Sequence, residues 1–419
     1  MRTSIVFLAL AASAVAGRLN AQSGTEQAGR DIRYLADDAR EGRGIGTAGL
    51  DSAAAYIAAA FQKAGLKPGG AAGFFQPFIV DSSAPAAAHN PHVAGAPIKN
   101  VIGLLPGSGT LADQTVVIGA HYDHLGLGGM EAMDNPDSTG KVHNGADDNA
   151  SGTVALMEIA RRLAKERASN RRTFVFVAFS GEEMGLLGST YYVKHPVRPL
   201  PTTYAMLNLD MVGRLGDRKL AVFGTETARE FPALLDSIAT RDQMPVSGTG
   251  DGYGSSDHES FYTQSIPVLH FFSGMHEDYH RTTDDWQKID LTGLVRIAGV
   301  AADVAEQLAT RTAALTYVKV EARRPIAGGG YGAYLGTIPD MTESPGGVRL
   351  SGVRAGSPAE EAGLKGGDIL IQLGDHVIKN LYDMTDALNA YKPGETVALV
   401  FLRDGQRVET KTTLRKRGG

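Results

Sequence analysis

Two acidic residues, Asp147 and Asp148, stand side by side in Gly145-Ala146-Asp147-Asp148-Asn149-Ala150-Ser151-Gly152, with no lysine or arginine beside them to relieve their charge. His121-Tyr122-Asp123-His124 precedes them, and Gly181-Glu182-Glu183, Leu207-Asn208-Leu209-Asp210 and His280 follow. Nitrogen and oxygen donors of these types bind divalent cations, and adjacent carboxylates repel unless a cation neutralises them. The alternative is a helix terminus, where the macrodipole alone favours negative charge. Val154, Leu156, Met157, Ile159, Ala160 and Leu163 do follow at roughly helical spacing, and Ser151-Gly152 is good helix-start chemistry. Whether the remaining donors reach the same place decides between the two.

Strands must do the positioning. Thr115–Gly119, Thr173–Phe179, Tyr204–Leu209 and Ile266–Phe272 are near-continuous apolar runs, as expected of strands buried on both faces. His121 and Asp123 lie just beyond the carboxyl end of the first, Glu182 and Glu183 beyond the second. Asp210 ends the third, and His280 follows the fourth by a short loop. Ligands of open α/β sheets bind outside the carboxyl ends of the strands. Four strand ends delivering donors to one edge predict a metal centre, with Asp147 and Asp148 brought there by the intervening loop. Helical patterns over Asp31–Leu66, stopping at Gly65, and over Leu291–Leu308 complete an α/β fold. The expected core is a mostly parallel mixed sheet sandwiched by helices.

The 419 residues suffice for two or three domains, and a net charge of -5 gives no reason to expect nucleic acid or an anionic membrane as partner. No cysteine is present, which excludes disulfides, a lipoprotein anchor and thiolate metal ligands. Met1-Arg2, an apolar run from Ile5 to Val15, and small-residue sites ending at Ala16 and Ala21 predict a signal peptide over 1–21. No later run is long enough to span a bilayer, so an exported, periplasmic or secreted protein is expected. After a looser segment, Arg323 to Tyr331, come Gly356-Ser357-Pro358-Ala359 and Ala362-Gly363-Leu364-Lys365-Gly366-Gly367-Asp368-Ile369-Leu370, a helical stretch Asp383–Ala390, and an Asp404-Gly405 hairpin signal. This order resembles a bacterial PDZ domain, β-rich and small. The resemblance implies that a peptide C-terminus adds as a strand, its carboxylate held by Tyr334-Leu335-Gly336-Thr337. The expected organisation is a leader over 1–21, a metal-bearing domain over 22–315, and a linker with the PDZ domain over 316–419.

Taken in order, H-x-D at 121, G-A-D-D-N-A-S-G at 145, F-S-G-E-E-x-G-L-L-G-S at 179, L-N-x-D-M-V-G-R at 207, S-D-H-x-x-F at 256 and Y-H-R-x-x-D at 279 resemble the co-catalytic di-zinc exopeptidases. That family includes secreted bacterial leucyl aminopeptidases and glutamate carboxypeptidases, and the likeness runs from about Tyr34 to Leu308. It implies two zinc ions (cobalt or manganese also suit such donors), with Asp147 bridging both. His121 and Asp210 would complete one site, and Glu183 and His280 the other. Asp123 would orient His121, and the peptide bond between Asp147 and Asp148 would be cis. Two close cations make a bridging hydroxide available near neutral pH. Glu182 would act as general base and acid, and the Tyr253 hydroxyl, or failing it Tyr279, would hold the oxyanion.

The activity this implies is an aminopeptidase acting on peptide substrates. A carboxypeptidase or dipeptidase uses the same core, and arginines placed for a free carboxylate would favour it. Glutaminyl cyclases share the fold but not the full two-metal set, and a PDZ-bearing binding protein on an inactive scaffold is the non-enzymatic alternative. His276-Glu277-Asp278-Tyr279-His280 also satisfies H-E-x-x-H, but no apolar periodicity surrounds it, so no metal-binding helix is expected there. His124, His143, His258 and His270 read first as loop or core histidines.

Overall fold

The computed structural model describes residues 24–82, 93–129, 132–134, 138–250, 252–254, 256–320, 333–339, 346–354, 356–379 and 381–415. The expected leader and the segment 323–331 lie outside them. Among the described residues no helix is long and apolar enough to cross a membrane. The chain forms two compact units, the first running to Ser273 and resuming over His280–Lys319, the second comprising the remainder.

The first unit is built on a nine-stranded sheet: β1 (Lys67–Pro68), β2 (Phe75–Ile79), β3 (Pro97–Leu105), β4 (Thr115–His121), β5 (Thr173–Phe179), β6 (Thr203–Leu209), β7 (Leu220–Phe223), β8 (Val246–Thr249) and β9 (Val268–Phe272). They are ordered β1-β3-β5-β4-β6-β9-β7-β8, with β2 also paired to β3. The centre, β5-β4-β6-β9, is parallel, whereas β3 against β5 and β7 against β9 are antiparallel. Every residue of β4, β5 and β9 is buried, which is why those segments read as unbroken apolar runs. Parallel register then fixes the site: His121 lies opposite Phe179, Gly119 opposite Asn208, and Leu209 opposite Phe271. The residues that follow each of these strands therefore emerge at one edge.

Helices cover the sheet: α1 (24–35), α2 (Ala48–Ala64), α3 (Gly152–Leu163), α4 (Leu187–Lys194), α5 (Phe231–Arg241), α6 (His258–Tyr262) and α7 (Leu291–Thr310). The apolar stripe of α3, Val154, Leu156, Met157, Ile159, Ala160 and Leu163, is buried in the main core. Each large aliphatic side chain so buried contributes about 1.5–3 kcal/mol. Two local expectations change. The helix over Asp31–Leu66 is broken, because Glu41, Gly42 and Arg43 all take positive φ (50°, 58° and 48°). Thr47 then restarts the chain as the cap of α2, and Gly65 at φ 88° ends it. At the start of α3 the cap is not Ser151 but Asn149, whose Oδ1 accepts the Gly152 N–H at 2.8 Å. The Ser151 hydroxyl donates to the Asp147 carbonyl instead.

The second unit holds a six-stranded antiparallel sheet of β10 (Thr337–Pro339), β11 (Val348–Val353), β12 (Ile369–Leu373), β13 (His376–Val377), β14 (Thr396–Arg403) and β15 (Gln406–Thr413). Two helices, α8 (Pro358–Glu361) and α9 (Leu381–Ala390), pack with it around Leu335, Leu350, Leu364, Leu370, Leu399 and Phe401. Asp404 and Gly405, both at positive φ, make the tight turn between β14 and β15. Ser357 caps α8 through the Glu360 N–H.

Candidate metal centre

Beyond β4, β5, β6 and β9 the chain gathers His121, His124, Asp148, Glu182, Glu183, Asp210 and His280 into one buried cluster. Asp148 is at its middle. Its Oδ1 lies 3.4 Å from His121 Nε2 and its Oδ2 lies 3.1 Å from His280 Nε2. Asp210 Oδ1 approaches the same His121 nitrogen at 3.4 Å, and Glu183 Oε2 approaches His280 Nε2 at 3.1 Å. One carboxylate thus faces two histidines, each with a carboxylate of its own.

Asp147, the residue expected to stand there, does not. Its Oδ1 accepts the Gly213 N–H at 2.6 Å, which turns it toward the backbone. The cis peptide bond likewise falls one residue later than expected, between Asp148 and Asn149. The turn has several anchors. Asp284 Oδ2 accepts the N–H groups of Asp147 and Asp148 at 2.8 and 3.1 Å, and Arg214 holds Asp284 Oδ1 at 2.9 Å. Gly145 opens the turn at φ 52°, where a side chain would lie 2.1 Å from the Asp148 carbonyl oxygen.

Asp123 also acts differently from expectation. Its carboxylate is 3.8 Å from His121 Nδ1, beyond hydrogen-bond reach, and its oxygens instead accept the N–H groups of Glu182 and Glu183 at 3.2 and 3.4 Å. It braces the turn that carries the two glutamates. Thr153 steadies His121 from α3, donating its hydroxyl to the His121 carbonyl at 2.8 Å.

His124 belongs to the cluster, though its position in the sequence suggested a loop histidine. Its Nδ1 is 2.6 Å from Glu183 Oε1 and 3.9 Å from Asp148 Oδ2. A second imidazole three residues past a candidate ligand, in the same short loop, was the available signal. Tyr253 sets its ring edge-on to Tyr262, centroids 4.9 Å apart, in the stretch between β8 and α6. Residues 276–280 form a turn rather than a helix, as their context predicts. His258 and His270 stack at 4.5 Å in the interior, where burial pushes both down to about 3, and Asn208 bonds His270. They are neutral packing groups.

Electrostatics separate the two adjacent glutamates. Burial and the neighbouring Asp148 oppose ionisation of Glu183, but His280 and His124 outweigh them and hold its carboxyl at about 2. Burial pushes Glu182 well above the usual carboxylate range; His121 pulls against this, while Glu183, Asp210 and Asp257 reinforce it. Burial also opposes ionisation of Asp148, yet hydrogen bonds from His121 and His280 keep it well below that range. A carboxyl that burial disposes to hold a proton and one that its histidines favour in the ionised form therefore sit side by side.

The donors fit divalent metal. One donor atom each from His121, Asp148 and Asp210 lies within 4.8 Å of the others, and the same holds for His124, Asp148 and Glu183. Asp210 Oδ1 and His124 Nε2 are buried with no hydrogen-bond partner among the described residues. A buried carboxylate oxygen without a hydrogen-bond partner is costly in a protein interior and suits a cation. Imidazole and carboxylate without thiolate match zinc, cobalt or manganese.

An acidic and histidine-lined cluster thus lies at the carboxyl edge of the parallel centre of a mixed α/β sheet, the place where such folds bind ligands. Residues 100–305 match Peptidase family M28 and residues 333–414 match the PDZ domain, so the chain carries an M28 peptidase domain followed by a PDZ domain. It is 30% identical over 213 residues to a probable leucine aminopeptidase of Trichophyton verrucosum, covering 48% of this chain and 55% of that protein. The chain thus spans about half the length of the curated relatives it matches. Among solved structures, a zinc aminopeptidase from Bacillus subtilis superposes with a TM-score of 0.55 at 18% identity, covering 69% of this chain and 96% of that one. A Porphyromonas gingivalis glutaminyl cyclase gives 0.52 at 19% identity, covering 68% and 96%. At such identities the likeness establishes the fold.

Proposed function

We propose that this protein is a metal-dependent aminopeptidase. The observation that carries the reading is the Asp148 carboxylate, one oxygen toward His121 and the other toward His280, with Glu182 beside them. Two zinc ions would be held, one by His121, Asp210 and Asp148, the other by His280, Glu183 and Asp148. Bound there, they would polarise the scissile carbonyl and acidify the attacking water. Glu182 Oε2, 3.9 Å from His121 Nε2, accepts the proton of that water and returns it to the departing amine. Its raised affinity for a proton suits both halves of the task. The Tyr253 hydroxyl is proposed to steady the oxyanion.

The relatives' names support attack at the N-terminus. One observation favours a dipeptidase or carboxypeptidase instead. Arg281, next to His280, has a buried Nε without a hydrogen-bond partner among the described residues, a group suited to a peptide carboxylate. Arg214, by contrast, is engaged with Asp284. For the second unit we propose capture of a peptide C-terminus beside Tyr334–Thr337, and export is proposed from the leader-like pattern of 1–21.

Dialysis against a chelator is expected to abolish hydrolysis of an unblocked peptide, and added zinc to restore it. Full activity after metal removal, verified by elemental analysis, would overturn the proposal.

A further inference from the structure

The break in the first helical stretch, where three consecutive residues take positive φ, delivers a guanidinium to the back of the metal centre. Arg43 is wholly buried. Its Nε donates to the Tyr122 carbonyl at 2.7 Å, and its Nη1 to those of Leu35 and Asn144, both at 2.7 Å. Its Nη2 donates to the Gly145 carbonyl at 2.8 Å. Tyr122 lies between His121 and Asp123, while Asn144 and Gly145 lead into the turn that presents Asp148. A single planar fork therefore ties the His121 loop to the Asp148 loop. Buried arginines ordinarily pair with a carboxylate, but among the described residues the hydrogen bonds of this one go to backbone carbonyls.

The backbone around it is shaped for that contact. The Gly42 and Arg43 carbonyls accept the N–H groups of Gly126 and His124 at 3.1 and 3.3 Å, so the same segment grips the loop bearing His124. A side chain at Gly42 would lie 2.4 Å from the carbonyl oxygens of both Gly126 and His143, and one at Gly44 would lie 2.7 Å from the Gly126 Cα. Arg43 itself holds a left-handed φ of 48°, which non-glycine residues seldom adopt. Burial lowers its guanidinium to about 10, against the pull of Asp123, Asp148, Asp284 and Glu183, so it stays charged at neutral pH.

We propose that Arg43 is a positioning residue of the metal centre: it fixes the spacing of the His121 and Asp148 loops through their carbonyls and places a permanent positive charge behind the mutually repelling carboxylates. The inference rests on the metal reading above. Lysine keeps the charge but cannot reproduce a rigid fork reaching four acceptors, so it isolates the geometric part. Methionine removes the charge as well.

The test uses the full chain, metal-free, as wild type, Arg43→Lys and Arg43→Met. Zinc is titrated against a competing chelator, and thermal unfolding of the metal-free proteins is followed in parallel. Arg43→Lys is expected to unfold cooperatively close to wild type yet bind zinc about 10- to 100-fold more weakly, the range typical of lost outer partners of a metal site. Arg43→Met is expected to bind more weakly than wild type as well, because the fork is lost there too. Excess zinc should restore kcat in the lysine variant. Undiminished zinc affinity in Arg43→Lys would overturn the proposal. So would loss of cooperative unfolding in both variants, since the arginine would then hold the fold rather than the ligands. A wild type that binds no zinc would instead remove the metal reading beneath it.

Discussion

Asp148→Asn is expected to eliminate tight zinc binding and reduce kcat/KM by more than about 100-fold, whereas Asp147→Asn should cost about tenfold at most. Losing an outer partner of a metal site typically costs about 10–100-fold, and a direct donor shared by two ions must cost more. Asp148 meets the structural requirement for that donor, because its two oxygens face His121 and His280 separately. Asparagine would leave one neutral acceptor where two anionic ones are needed. At position 147 the same substitution keeps an oxygen for the Gly213 N–H, the contact that Asp147 Oδ1 makes here. Zinc content after dialysis and steady-state kinetics on both variants check the contrast. If Asp147→Asn proved the more damaging, the shared role would return to the residue that the family resemblance implied.

Glu182→Gln is expected to lower kcat by about 10²- to 10⁴-fold, the usual contribution of a general acid–base group, while leaving zinc content unchanged. Glutamine fills the same volume but cannot accept the proton. Burial raises the Glu182 carboxyl, so activity in the wild type should fall as pH is lowered through its titration and rise above it. The variant should lose that acidic limb from its pH profile. Glu183, held at about 2 by His280 and His124, is ionised throughout the same range and contributes no such limb. A Glu182→Gln protein turning over at the wild-type rate would remove Glu182 from the mechanism.

What the sequence made legible was governed by burial. The central strands are apolar from end to end because both their faces are covered. Their ends, and hence the shared edge where His121, Glu182, Glu183, Asp210 and His280 meet, could be placed within a residue or two. The choice between Asp147 and Asp148 lacked any such guide. An irregular turn has no period, and which of two adjacent carboxylates points inward depends on Gly213 and Asp284, far away in sequence. Arg43 was less visible still. Nothing in the order of residues says that a guanidinium will find carbonyls at Tyr122 and Asn144. The role of Asp123 shifted for a related reason: spacing put it near His121, but the N–H groups of Glu182 and Glu183 lay within better reach.

The most direct measurement is the identity of the first product released from a peptide supplied in three forms: unblocked, N-acetylated, and amidated at its C-terminus. For an aminopeptidase the unblocked and amidated peptides should lose their N-terminal residue at similar rates, the acetylated one should resist, and chelator should stop both reactions. Cleavage of the acetylated peptide as fast as the unblocked one, or a requirement for the free carboxylate that Arg281 is suited to hold, would contradict that reading.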